Sequence, residues 1–133
     1  FAEGDIIIAK ITPCMENGKC ALATDLTNGI GFGSSEFHVF RVNDKLINNV
    51  YLFAYLNRRE IRTRAAEVMT GSSGHRRVPI SFYEDLEIPV PSMEMQMEIA
   101  KKYKNMVSEM EKIKQYIANS SSAKQAFLDK YLK

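Results

Sequence analysis

An α+β fold is predicted for this chain: a mixed β-sheet with packed helices, followed by a long C-terminal helix that forms an antiparallel coiled-coil-like arm. Three observations predict it. The first forty residues alternate short apolar runs with turn signals, the pattern of strands. Residues 49–68 carry an apolar stripe at helical spacing. Further on, Ile99, Tyr103, Met106, Met110, Ile113 and Ile117 recur at the spacing of heptad a and d positions over roughly three heptads.

Taken in order, Gly4-Asp5 is a turn, and Ile6 to Thr12 is a near-continuous apolar run suited to a strand buried on both faces. Asn17-Gly18 turns the chain into a second extended stretch, Lys19 to Thr24. Asn28-Gly29 marks another turn, and Glu36 to Val42 alternates as a half-buried strand does. Asn48 or Asn49 then caps a helix whose apolar face is Tyr51, Leu52, Tyr55 and Leu56, extended by Ile61, Ala65 and Val68. Gly71 is expected to stop it by supplying a left-handed residue. Arg58, Arg59, Arg62 and Arg64 read as its solvated face. Ser81 and Glu84 have capping-box spacing for a short helical turn near 82–86. Leu86, Ile88 and Val90 alternate as a short edge strand between prolines. The long helix starts after Ser92. Ser120-Ser121-Ser122 is expected to break it, and Ser122 with Gln125 to cap a final helix.

Composition narrows the class. A hydrophobic share of 45% supports a real core, and a charged share of 26% without low-complexity tracts excludes a disordered chain. No apolar run approaches the ~20 residues that span a bilayer. Two cysteines are too few for a disulfide framework or a zinc site, so a reduced cytoplasmic protein with no metal is expected. Phe1 reads as a chain entered mid-fold. The net charge of +2 conceals a partition by sign. Residues 1–40 carry 2 basic and 5 acidic side chains, residues 41–80 carry 8 and 3, residues 81–98 carry 0 and 5, and residues 99–133 carry 8 and 3. Two of these blocks are basic enough to face phosphates, or simply form solvated helix faces.

Two segments resemble the specificity subunit of type I restriction-modification systems. One is Gly4-Asp5-Ile6-Ile7-Ile8-Ala9-Lys10-Ile11-Thr12-Pro13 through Asn17-Gly18-Lys19, followed by Gly29-Ile30-Gly31-Phe32-Gly33-Ser34-Ser35-Glu36-Phe37. The other is Gly71-Ser72-Ser73-Gly74-His75-Arg76-Arg77-Val78-Pro79, with Ile88-Pro89-Val90-Pro91 and the helix from Glu94 to Ala100. Ser92-Met93-Glu94-Met95-Gln96 departs from the proline, leucine and Glu-Gln pair common in that family. The resemblance implies a target-recognition domain over 1–91, N-terminally truncated, and spacer or dimerisation helices over 92–133. It implies a non-catalytic subunit that recognises double-stranded DNA beside methyltransferase and restriction subunits. No cofactor of its own is implied; the partner methyltransferase would use S-adenosylmethionine and flip the adenine.

Side-chain chemistry then suggests contacts. Arg76 and Arg77 follow a Gly-Ser loop, where small residues let backbone approach a phosphate, and Ser72, Ser73 and His75 add short donors. The bland alternative is that this loop caps a helix end, with Arg76 or Arg77 pairing Glu84, Asp85 or Glu87. Lys10, Thr12 and Lys19 form a second DNA-facing group, against which stands an ion pair of Lys10 with Glu36. The heptad face supports antiparallel pairing with a second helix, and a homodimer for this chain alone. Two rivals are a helical protein-interaction module on an α/β platform, and a small hydrolase using Cys14 with His38 or His75. The second lacks a nucleophile motif and an orienting acid.

Overall fold

A computed structural model describes residues 1–132. The chain divides into two compact units, Phe1–Ala100 and Lys101–Lys133. In the first, three antiparallel strands lie in the order β2-β1-β3: β1 (Ile6–Ala9), β2 (Cys20–Leu22) and β3 (Phe37–Phe40). Ile7 sits opposite Ala21 on one side and Val39 on the other. Strand parity makes the sheet two-faced. Ile6 and Ile8 point into a core with Leu52, Leu56, Ile61 and Leu86. Ile7, Ala9 and Ile11 instead line an open groove of about 660 Å³ with Cys14, Ala21 and Phe37. The expected burial of β1 on both faces is therefore corrected: one face is covered by helices and the other lines this groove.

Helix α1 (Asn49–Leu56) starts where Asn48 caps it, its side-chain oxygen accepting from the Tyr51 N–H at 3.0 Å. The single helix expected here is two. Arg58 adopts extended backbone, which ends α1 at Asn57 and starts α2 (Arg59–Glu67) in a new direction. Ile61 and Ala65 then face inward while Val68 stays exposed. Gly71 is not the stop, because α2 has already closed at Val68. A Cβ at Gly71 would lie 2.7 Å from the His75 carbonyl oxygen, so this glycine permits a close approach within the following loop.

Helix α3 (Ile80–Glu84) begins two residues before the turn expected at 82–86, and no side chain caps it. Residues 86–91 form no strand. Leu86 is buried, and the Pro89 carbonyl accepts from the Tyr51 hydroxyl at 2.7 Å instead of from a neighbouring strand. A second cluster joins Met15, Ala65, Met69 and Val78, with Phe82 and Tyr83 packed against it.

Helix α4 runs unbroken from Met93 to Tyr131. The serine break does not occur. Ser120, Ser121 and Ser122 each donate their hydroxyl to the carbonyl four residues back, so none of them draws a backbone N–H out of the helix. Gln125 binds Asp129 rather than closing a capping box with Ser122. The start of α4 belongs to the first unit, where Gln96 and Ala100 are buried. Along the rest of the helix Met106, Met110, Ile113 and Ile117 are exposed, as are the residues around them.

Candidate nucleic-acid interface

Most of the residues singled out from the sequence meet at one end of the sheet. Beyond β1 the chain continues beside residues 76–78: the Thr12 N–H donates to the Arg76 carbonyl at 2.9 Å, and the Val78 N–H to the Lys10 carbonyl at 2.9 Å. Lys10 and Thr12 are thereby placed next to the Arg76-Arg77 segment. On its other side Arg77 pairs with Thr70 through two backbone hydrogen bonds of 2.8 and 3.0 Å. That pair closes a loop over residues 71–76, turned internally by a hydrogen bond from the His75 N–H to the Ser72 carbonyl at 3.0 Å. Gly71, Ser72, Ser73, Gly74 and His75 are all exposed.

The two arginines look inward more than their composition suggests. Arg76 donates from Nη2 to the Ala66 and Met69 carbonyls at 3.1 and 3.2 Å. It thereby adds a side-chain donor to carbonyls at and just beyond the end of α2. Arg77 grips the Glu36 carboxylate with two bonds, Nε at 2.9 Å and Nη2 at 2.7 Å. A third bond runs from its Nη1 to the His75 carbonyl at 2.9 Å. The partner of Arg77 is thus Glu36 at the head of β3, and the acidic group Glu84, Asp85 and Glu87 is not involved. These hydrogen bonds hold the Glu36 carboxyl below its ordinary range and push Arg77 up, with Lys10 and His75 adding smaller favourable fields at Glu36. The ion pair weighed for Lys10 belongs to Arg77.

Thr12 donates its hydroxyl to Glu16 at 2.5 Å, across the turn that follows. Lys19 lies on the groove rim with Ser34 and Glu36. Its strand position is set by the Ala9 N–H, which donates to the Lys19 carbonyl at 2.9 Å. The arginines of α2 are not a plain solvated face. Arg58 pairs with Glu60 and lies over the Tyr55 ring, and Arg64 lies over Phe82. Arg62 turns inward to the Glu16 carbonyl at 3.2 Å, under the Asn17-Gly18 turn. A Cβ at Gly18 would meet the guanidinium end of Arg62, which can swing aside, so what calls for glycine there is its positive φ.

His38 packs edge-on against Tyr83, and its Nε2 lies 2.8 Å from the Val78 carbonyl. A carbonyl only accepts, so Nε2 carries the proton and the ring is held as a structural donor. Burial pushes the Cys20 thiol up, away from nucleophilic character, and pushes Tyr83 up to about 12. No group of three or more metal-ligating side chains occurs among the described residues, and no helix is long and apolar enough to cross a membrane.

Two residues of structural weight were not singled out from sequence. Glu36 entered only as a partner for Lys10, and nothing local in sequence links it to Arg77, which lies far along the chain. Gln96 is 1% exposed and makes three hydrogen bonds. Its only signal was a polar residue at an inward position of α4.

A loop of short polar side chains is thus mounted on a sheet end with Lys10 and Lys19 nearby. Over residues 1–119 the chain matches the family model described as type I restriction modification DNA specificity domain. It is 39% identical to the type I restriction enzyme EcoAI specificity subunit of Escherichia coli over 132 residues, covering 99% of this chain and 22% of the relative. It is 34% identical to the EcoEI specificity subunit of Escherichia coli, with the same coverage. The chain belongs to the type I restriction-modification DNA specificity domain family. It spans 22% of the length of these curated relatives. No solved structure matches it.

Proposed function

We propose that this chain reads one part of a target sequence in double-stranded DNA for a type I restriction-modification complex, with methyltransferase and restriction subunits as its partners. The observation that carries this reading is the convergence of Lys10, Thr12, Ser72, Ser73, His75, Arg76 and Arg77 at one end of the sheet in a chain of this family. The loop 71–75 offers directional donors and acceptors to base edges, and Lys10 with Lys19 offers positive charge to phosphates. Catalysis and S-adenosylmethionine belong to the methyltransferase partner, and this chain holds no cofactor. The complex works in the cytoplasm.

The body over 1–91 is the target-recognition domain, and the helical segment from residue 92 is the spacer. On α4 the exposed Met106, Met110, Ile113 and Ile117 continue the face begun by Ile99 and Tyr103, and they favour antiparallel pairing with a second helix. In this chain alone the second helix is another copy, giving a homodimer. A helical interaction module without DNA reading is the competing reading, and it predicts no salt-dependent affinity for duplex.

Selection from a randomised duplex pool across a salt series tests the proposal. A short enriched motif is expected. Lys10→Ala with Lys19→Ala is expected to reduce the slope of log affinity against log salt by up to about 0.9 for each phosphate that is no longer neutralised. Failure to enrich any motif, with no affinity even at low salt, would leave the helical module as the better reading.

A further inference from the structure

Arginines beside a Gly-Ser loop in a DNA-specificity domain invite the reading that they touch DNA. Their hydrogen bonds argue otherwise. Three of the five N–H donors of Arg77 are engaged by groups of the protein itself, two on Glu36 and one on the His75 carbonyl, although the side chain stays 43% exposed. Its backbone N–H and carbonyl are both committed to Thr70. Arg76 is engaged on the Ala66 carbonyl in the last turn of α2 and on the Met69 carbonyl just beyond it, and its own carbonyl accepts from Thr12. The loop is therefore tied to three separate elements. Arg76 ties it to the end of α2, Thr12 ties it to the continuation of β1, and Glu36 ties it to the head of β3.

Of these ties only the one through Glu36 is ionic and two-pronged, and a bidentate guanidinium–carboxylate pair fixes direction as well as distance. It also reaches the loop interior, because the same guanidinium holds the His75 carbonyl. We propose that Glu36 is the positioning residue of the recognition loop: by clamping Arg77 it sets the presentation of Ser72, Ser73 and His75 to DNA, and Arg76 and Arg77 serve as struts rather than as DNA contacts. This rests on the reading above that the loop faces DNA. Glu36 would repel a phosphate on its own. Paired with Arg77, it lets an acidic side chain stand beside a DNA-facing loop without presenting a net charge there.

The test uses Glu36→Ala, Arg77→Ala and the charge exchange Glu36→Arg with Arg77→Glu. Hydrogen exchange is followed in this chain, and duplex affinity across a salt series in the assembled complex that carries it. The amides of Thr12, Thr70, His75 and Arg77 report the loop mount, since each donates a hydrogen bond within it. Both single variants are expected to speed exchange at these amides on the order of tenfold. Both should weaken DNA binding on the order of tenfold with the salt slope unchanged, because the lysines still neutralise the same phosphates. The charge exchange should recover most of both effects, which a mere change of surface charge would not do.

The proposal is overturned if Arg77→Ala lowers the salt slope by about one while Glu36→Ala tightens binding. That pattern makes Arg77 a phosphate ligand and Glu36 its inhibitor. It is equally overturned if the four amides exchange at unchanged rates in both single variants. Accelerated exchange, recovered by the charge exchange but with DNA affinity unmoved in every variant and in Ser72→Ala with Ser73→Ala, would sink the assignment of this loop to DNA. The role of Glu36 in recognition would fall with it, leaving the clamp as a purely structural feature.

Discussion

Replacing Gln96 by leucine is expected to destabilise the Phe1–Ala100 unit by about 2–4 kcal/mol, and the structure says why. The side chain is 1% exposed, so water cannot replace its partners. Its Oε1 accepts from the Asn48 N–H at 2.8 Å, and its Nε2 donates to the Pro91 and Leu46 carbonyls at 2.9 and 3.3 Å. Each neutral bond is worth about 1 kcal/mol net, and a backbone group left without a partner costs about 1–3 kcal/mol where water cannot reach it, which the carbonyl of the exposed Leu46 escapes. Leucine has nearly the same volume and recovers on the order of 1 kcal/mol through burial of its extra apolar surface. Asn48 also caps α1 through its side chain, so loss of the anchor on its N–H loosens that cap. Urea unfolding at constant m-value gives the difference directly. Met97→Leu, at an exposed neighbouring position, serves as the control and should stay within about 0.5 kcal/mol of the parent. A Gln96→Leu variant as stable as the control would refute the reasoning, because it would mean that these three bonds contribute no net stability.

Ile61 is 1% exposed in the main cluster, and Ile61→Ala should cost about 2–5 kcal/mol in the same assay. Asp5 is 1% exposed, and its carboxyl is held below the ordinary value of 3.8 chiefly by the hydrogen bonds from Arg41. A lowered folded value means that its contribution is complete above that ordinary value and fades as the pH falls through the folded one. Acid unfolding followed by circular dichroism should therefore be less steep in Asp5→Asn below pH ~4. Met106→Lys with Met110→Lys should abolish self-association in sedimentation, while the urea midpoint of the Phe1–Ala100 unit stays where it was.

Periodicity found the elements where one period dominates. The strand at Ile6, the cap at Asn48 and the helix α4 are all visible locally, because each is fixed by neighbours within about four residues. The misses share a cause. Ser120-Ser121-Ser122 reads as a break on propensity, but their hydroxyls bond the carbonyls four residues back and so do not compete for the N–H groups of the helix. The split at Arg58 reads as continuous because Leu56 and Ile61 are both apolar, although a turn between two helices also places both inward. Leu86, Ile88 and Val90 alternate like a strand, yet no neighbouring strand is within reach, and Tyr51 takes the carbonyl that a ladder would have used. At the site, the residue types were legible and their partners were not. Whether Arg77 points to solvent or to Glu36 depends on a pairing 41 residues apart, which no local pattern encodes.

On the proposed function, this pairing implies a division of labour between affinity and choice. Long, flexible lysines suit phosphates, which are reached from many angles and carry no sequence information directly. Base edges demand short groups held to within about 0.5 Å, and a loop delivers that only when its mount is rigid. Here the mount is Thr70, Arg76, Arg77 and Glu36, and the exposed crest is Ser72 to His75. The crest should therefore be exchangeable. Substituting Ser72, Ser73 and His75 together, with Gly71, Gly74 and the mount retained, is expected to leave the urea midpoint within about 0.5 kcal/mol of the parent, since these side chains are exposed. The same change should alter which motif is enriched from a randomised duplex pool, each base-edge interaction removed relaxing selection by about 1–3 kcal/mol. Lys10→Ala and Lys19→Ala should do the reverse, weakening binding to all sequences alike and reducing its salt dependence. An unchanged motif after the crest exchange would place base choice outside this loop, even if the lysine variants behaved as expected.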